Sequence, residues 1–492
     1  MRLRPSEGRL LLLLLVAYGW LFVFFPGINN PNELVRIYAA RALVEDHTWS
    51  IGRRTRFGDT GVLASWGYVN DKALVCDDSR LQPPRCEGRL FAAKAPGPTV
   101  LAVPVLALMR LFGPLKKTSC VFVLRWIWMI LPTIVFWIAM RRYGLPDEVV
   151  LAGALGSLSL TYGQMFAGHQ LAALALGAAY LSGFWKIRPF WVGFFAAASV
   201  AMEYPSALAA AILIAAFVLS TRRWRGVLLG ALPWVVILVQ FHWSAFGSPW
   251  STPYGHIENP SFVRDMGPTF MAFSAPTLER LYGSFFSPYL GLFFWAPWIA
   301  LALIAPVWVR RHTERLVASA IVAWYLVFQL SQSLWRSGWV VGPRYITPIV
   351  PFAAILIALA IPAAPRWWMT LFRGLAVPGI AATMLASAVC QGFPLEVENP
   401  LREVVWPLLA HGFVPRNPLQ ALGVPGIWSA MPYFAAMFIA IVTVLRRDIA
   451  AIVIAAAIAG CQWLAPASGE TGAARFLEST WGPPAPPGST PF

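Results

Sequence analysis

A chain of 492 residues with 58% apolar and only 12% charged side chains carries too little charge to cover a water-soluble protein of that length. Its mean hydropathy is positive, and its solvent is lipid. The formal charge of +16 would suit a nucleic-acid binder, but the basic residues stand in short clusters between apolar runs and follow the positive-inside pattern, so nucleic acid is excluded as the partner.

Apolar runs of about 18–22 residues recur along the chain, the length that crosses ~30 Å of hydrocarbon. Placing the Arg2/Arg4/Arg9 end in the cytoplasm puts Arg141-Arg142, Lys186/Arg188, Arg222-Arg223/Arg225, Arg310-Arg311/Arg315, Arg366/Arg373 and Arg446-Arg447 on that same side. About thirteen spans result, at residues 9–26, 119–140, 148–167, 170–185, 189–203, 205–220, 226–245, 288–309, 316–334, 345–362, 371–390, 427–445 and 449–465. The expected fold is therefore an all-α polytopic membrane protein with a large first exoplasmic loop. Gly, Ala and Arg usage hints at a bacterial source, hence an inner (cytoplasmic) membrane with the N-terminus cytoplasmic and the C-terminus exoplasmic.

In this division residues 1–26 hold the first span, 27–118 the first exoplasmic loop and 119–245 spans two to seven. A further loop follows at 246–287. Residues 288–465 hold the remaining spans, with exoplasmic loops near 335–344 and 391–426, and the Pro-rich stretch 466–492 reads as a disordered exoplasmic tail. The first segment has the basic start and Leu-rich run of a signal peptide. Residues 17–26 offer no small-x-small cleavage site, so it reads as a retained span.

The first loop opens on a predicted helix from Pro31 to Val44, with Asn30 as N-cap, Pro31 at the first position and Glu33 at the third. Glu33, Arg36 and Arg41 would then form a polar surface where the first span leaves the bilayer. Glu33 also fits a plain helix start, and the two readings are compatible. In the polar middle of the loop Cys76 and Cys86 are either a disulfide closing a short interval or two free thiols. Cys120, Cys390 and Cys461 fall in or near spans as small apolar fillers, and no zinc spacing is present. Lys94-Ala-Pro-Gly-Pro98 leads into a short apolar segment ending near Phe112, and Pro104 and Arg110 within it favour a helix lying in the interface.

Other exoplasmic turns add polar groups. Gly168-His169-Gln170 and Met202-Glu203-Tyr204-Pro205 interrupt apolar hairpins, where an ionisable group costs on the order of 2.5–3.5 kcal/mol at mid-span and less at the edge. Each is either interfacial or lines a polar cavity. Residues 246–258 contribute Tyr254 and His256. Residues 331–345 contribute Trp335, Arg336, Trp339, Arg344 and Tyr345. Arginines beside aromatic rings at a membrane surface are either belt residues or guanidinium forks for a phosphate.

The order and common side of these segments resemble the polyprenyl-phosphate-sugar-dependent glycosyltransferases of the GT-C fold, which include protein O-mannosyltransferases and aminoarabinose transferases acting on lipid A. The resemblance covers most of the chain. Asn32-Glu33, followed by Tyr38-Ala-Ala, stands where that family carries an acidic pair or single acid after its first span. Lys94-Ala-Pro-Gly-Pro is similar to its lysine-proline segment, and Gly342-Pro-Arg344-Tyr345 ahead of Pro348 and Pro351 to its late exoplasmic motif. The chain departs from the family in reading Asn-Glu for a double acid, and in offering His169 where some relatives present a carboxylate.

The resemblance implies a hexosyl or pentosyl transferase in which Glu33 is general base, while Lys94 and Arg344, helped by Arg336, hold the donor phosphate. Arg36, Arg41, His169, Glu203, Tyr204, Tyr254, His256 and Tyr345 become secondary contacts to sugar, phosphate or acceptor. The implied partners are a polyprenyl-phosphate-sugar donor in the bilayer and a cell-envelope acceptor, whether lipid, glycan or protein. No organic cofactor is implied, and a divalent metal is left open. By analogy with glycoside chemistry, a single displacement would invert the anomeric centre. Two rivals fit less well. A lipid-linked-sugar flippase or other transporter would place charges at mid-span and show internal duplication, and an O-antigen-ligase-like transferase usually carries its large loop late in the chain.

Overall fold

A computed structural model describes residues 4–25, 30–266 and 272–468. The expected tail lies almost wholly outside them. The chain is mostly helical. Helix α1 (Pro5–Gly19) starts on a proline with Glu7 in its first turn, and stops where Gly19 meets a ring: a Cβ there would lie 2.3 Å from Trp126. Residues 21–25 lie outside the helix, and Phe22 bridges to Arg416. The helical part of the first segment is thus shorter than the expected 9–26.

Three helices are long and apolar enough to cross a membrane among the described residues: Lys117–Tyr143, Trp224–Phe246 and Trp367–Ser387. Only 28% of the apolar window of Trp224–Phe246 is buried, and Leu228, Leu229, Leu232, Val235, Val236 and Val239 all face outward. That surface is covered only if lipid covers it, and the protein is a membrane protein. Other expected spans are shorter apolar helices, such as Pro189–Met202, Ser206–Thr221 and Ile449–Leu464.

Two expected spans are broken well inside their length. Residues 148–167 form the helices Asp147–Leu155 and Leu158–Gly163, interrupted at Gly156 and Ser157. Residues 288–309 form Leu292–Trp295 and two tight 3-10 segments, Pro297–Leu303 and Ala305–Val307, because Pro297 and Pro306 cannot continue an α-helical ladder. The breaks support each other. The carbonyl freed at Gly156 accepts a hydrogen bond from Trp298 Nε1 at 2.7 Å.

Three of the basic clusters, at Arg141-Arg142, Arg373 and Arg446, come together. Arg142 holds Glu7 at 2.8 Å, Arg373 holds Glu148 at 3.3 Å and Asp448 at 3.2 Å, and Arg446 holds Glu148 at 2.8 Å. Arg141, Arg142, Arg373 and Arg446 surround a single cleft there.

The segment between α1 and Lys117 is where the all-α expectation fails. After α2 (Pro31–Glu45) the chain forms β1 (Gly52–Thr55), β2 (Gly58–Asp59), the short α3 (Val62–Trp66), β3 (Lys72–Cys76) and β4 (Gly88–Ala92), before α4 (Gly97–Arg110). The four strands make an antiparallel sheet in the order β2-β1-β4-β3. Strands of two to five residues are too short for a period-two pattern to stand out in sequence. The β3–β4 register pairs Lys72 with Ala92 and Cys76 with Gly88, and Cys76 is bonded to Cys86. A Cβ at Gly88 would lie 2.1 Å from the Val75 carbonyl oxygen, so the close strand approach requires glycine. Helix α4, expected in the interface, leaves Leu111 and Phe112 exposed just past its end and packs on α2, where Thr99 Oγ1 donates to the Arg36 carbonyl at 3.2 Å.

Candidate functional site

The stretch before α2 and its first turn, the residues flanking the β3–β4 hairpin, and later turns near His169, Glu203, Tyr254, 333–345 and 390–395 line a cavity of about 820 Å³. Lys94 and Arg344 both line it, as do Asp71, His169, Glu203 and Tyr254. Lys94 is delivered by the turn from β4 into α4. Gly97 lets that turn lie against the backbone of Ala201, since a Cβ there would stand 2.5 Å from the Ala201 oxygen. Lys94 Nζ lies 3.2 Å from Asp71 Oδ2. Asp71 sits at the entry to β3 with φ of 59°, and its carbonyl accepts from Ala93 N at 2.8 Å, which ties the two ends of the hairpin together.

Arg344 is carried by a turn that only glycine can make. Gly342 has φ of 66°, and a Cβ there would lie 2.5 Å from Leu158. The preceding Val341 carbonyl is anchored by Tyr162 Oη at 3.0 Å. Among the described residues no carboxylate pairs with Arg344, its Nε is buried without a hydrogen-bond partner, and its guanidinium stands 5.3 Å from the Tyr345 ring. It is a cation presented to the cavity with no carboxylate in ion-pair contact among the described residues, and Asp71 is an opposite charge that acts on it from further off.

Behind the cavity wall Arg36 Nη2 holds Glu203 Oε1 at 2.6 Å, and His169 Nδ1 lies 3.5 Å from the same oxygen. Arg36 also binds the backbone and side-chain oxygens of Asn32. Gly168 makes room for this group, because a Cβ would fall 2.2 Å from Glu203 Oε1 and 2.8 Å from Arg36 Nη2. Gly168→Ala is expected to displace the pair and lower stability by about 1–3 kcal/mol, the usual cost of overpacking, as read by thermal unfolding in detergent. A variant that melts with the wild type would contradict this packing.

Tyr254 lines the cavity and lies 6.0 Å, ring to ring, from Tyr204. Burial pushes its hydroxyl well above the usual tyrosine range, so it remains a protonated hydrogen-bond donor at neutral pH. Tyr204 stands behind it and bonds His242 Nε2 at 2.8 Å. The other nitrogen of that ring donates to the Pro249 carbonyl at 3.1 Å, so the neutral imidazole accepts from the tyrosine.

Several expected site residues lie elsewhere. Glu33 is fully buried and does not line the cavity. Its Oε1 accepts from Arg125 Nε at 2.8 Å and from the Phe166 amide at 2.8 Å, and its Oε2 accepts from Arg125 Nη2 at 2.7 Å. That geometry turns Glu33 away from the cavity, with both of its oxygens accepting hydrogen bonds inside the bundle. One step of about 100° around α2 separates it from Asn32, which does face the cavity. Arg41 points away, pairing with Glu45 and lying over Trp66. Arg36 is buried behind Glu203. His256 bonds Ser251 at 3.0 Å and stacks on Phe246 outside the cavity, where burial lowers its proton affinity. Arg336 reaches only the exposed rim, 3.4 Å from Glu279. Tyr345 does line the cavity, edge-on to His169 at 5.4 Å.

Two residues of the site escaped the sequence reading. Arg125 was signalled by its position inside an apolar run, where an unpaired charge is costly. It starts a π-helical stretch, Arg125–Ile130, in the long helix Lys117–Tyr143. Asp71 had no signal beyond a polar Asn-Asp pair in a loop. Among the described residues no group of three or more His, Cys, Asp or Glu side chains could hold a metal ion. The cations seen at the cavity are Lys94, Arg125, Arg336 and Arg344, of which Arg125 is neutralised by Glu33. Compared with known proteins, the chain matches no family model, no curated protein and no solved structure. What the arrangement can do chemically is hold an anion between Lys94 and Arg344 beside buried carboxylates.

Proposed function

We propose that this is an integral membrane glycosyltransferase of GT-C-like architecture, with about thirteen membrane segments, that moves a sugar from a polyprenyl-phosphate donor to an exoplasmic acceptor. The observation that carries the reading is Arg344, a cavity guanidinium without a carboxylate partner among the described residues, sharing one cavity with Lys94. A guanidinium matches a phosphate by paired hydrogen bonds, and an ammonium adds a point charge beside it.

In the reaction, the acceptor hydroxyl attacks the anomeric carbon and the bond to the phosphate oxygen breaks. Positive groups already in place meet the charge that grows on the departing phosphate. The donor lies in the membrane beforehand, so anchoring its phosphate at the cavity supplies much of the orientation. Tyr254 and Tyr345 offer aromatic faces and hydroxyls to the sugar. The bilayer and a cell-envelope acceptor are the remaining partners, with the site on the exoplasmic side of a bacterial inner membrane.

The test is binding of farnesyl phosphate to the purified protein in nanodiscs. It is expected to raise the thermal midpoint of the wild type, whereas farnesol, which lacks the phosphate, and the Arg344→Gln variant with farnesyl phosphate show no rise. Equal stabilisation by farnesol, or none by farnesyl phosphate, would remove the phosphate site from the account.

A further inference from the structure

On the reading of the protein as a transferase, a general base takes the acceptor proton, and Glu33 does not line the cavity. The cavity offers Asp71 and Glu203. Glu203 Oε1 is held by Arg36 at 2.6 Å with His169 3.5 Å away, in the polar cluster that positions the wall. Asp71 is also buried, at 7% exposure, and among the described residues the ion pair it makes is with Lys94, through Oδ2, while its charge also acts on Arg344. Among the described residues nothing donates a hydrogen bond to Oδ1. We infer that Asp71 is the general base of this enzyme, with Lys94 joining it to the phosphate of the donor.

The local backbone fits such a role. Asp71 is held at φ of 59°, a left-handed conformation that costs free energy for any residue but glycine and that aspartate tolerates better than most. Strain of this kind persists where surrounding structure enforces it, here the hairpin tie from Ala93 N to the Asp71 carbonyl. A lysine that contacts both the carboxylate and the phosphate sets the base one ammonium away from the leaving group.

The step balances as a single displacement. The acceptor oxygen forms its bond to the anomeric carbon and its proton passes to Asp71 Oδ1. The carbon–oxygen bond to the phosphate breaks, and its electron pair leaves with the phosphate between Lys94 and Arg344. The proton on Asp71 returns to solvent after product leaves.

The experiment compares wild type and Asp71→Asn in nanodiscs with a polyprenyl-phosphate hexose, following donor consumption with a hydroxyl acceptor (water or a membrane acceptor) and with added azide. Azide has no proton to lose. Expected for Asp71→Asn are a kcat toward hydroxyl acceptors lower by at least about 100-fold, an unchanged donor KM, and recovery of near-wild-type turnover with azide, giving an inverted glycosyl azide. Unchanged hydroxyl transfer would overturn the assignment. A raised donor KM at unchanged kcat, or a slow variant that azide does not rescue, would also overturn it and make Asp71 only a support for Lys94. Asp71→Glu keeps the ion pair should the amide fail to fold. Its kcat is expected to fall at unchanged donor KM, and the opposite split would overturn the assignment. A wild type that consumes no donor would sink the transferase reading itself, which the variants alone do not address.

Discussion

Arg344→Gln is expected to lower kcat/KM for sugar transfer by about 10²–10³-fold while leaving the protein as stable as the wild type or more so. The loss is the usual cost of removing one preorganised donor to a developing anion. The unchanged stability follows from its surroundings. Arg344 has a buried Nε without a hydrogen-bond partner and no carboxylate partner among the described residues, so neutralising it strands no opposite charge. Arg344→Lys is expected to recover only part of the activity, because an ammonium cannot reproduce the planar fork. Steady-state kinetics and thermal unfolding on the same preparations check both halves. A variant that unfolds early and loses activity in proportion would reduce Arg344 to a structural residue.

Glu33→Gln is expected to do the reverse. It leaves Arg125 buried without its anion, and breaking a buried ion pair on one side costs about 3–5 kcal/mol. The effect should appear as a lowered thermal midpoint and poor yield, with residual folded protein still turning over donor. Replacing both partners, as Glu33→Leu with Arg125→Met, is expected to recover most of the stability, because a pair of apolar side chains carries no stranded charge. A stable Glu33→Gln protein with no activity would contradict the burial of Glu33 and restore it as the base.

The contrast between these two residues shows how much of the site could be read in the sequence. Lys94 and Arg344 are cations fixed by glycine-proline turns, and such turns are local features that a sequence displays openly. Both reached the cavity. Glu33 stands in an equally visible helix start, but which way it points depends on the phase of α2 against Arg125 and Phe166, contacts distant in sequence. Asn32, one position earlier, took the cavity face. Asp71 depends on the pairing of β3 with β4 and could not be found before that register was known.

The same logic applies to the fold. Apolar content reported the membrane class, and the basic clusters at Arg141-Arg142, Arg373 and Arg446 do come together at one end. Hydropathy has no term for a broken helix, so the interruptions at Gly156-Ser157 and at Pro297 and Pro306 passed as continuous spans. These breaks hold together through tertiary contacts such as Trp298 to Gly156.

The most direct test of the central claim is transfer of label from radiolabelled polyprenyl-phosphate sugars by the purified protein in lipid vesicles containing membrane acceptors. The account predicts that the wild type releases polyprenyl phosphate as label appears in a covalent product, and that Arg344→Gln does neither. Label that crosses the bilayer still attached to its polyprenyl phosphate, with no covalent product from any donor, would contradict the account and make the protein a transporter.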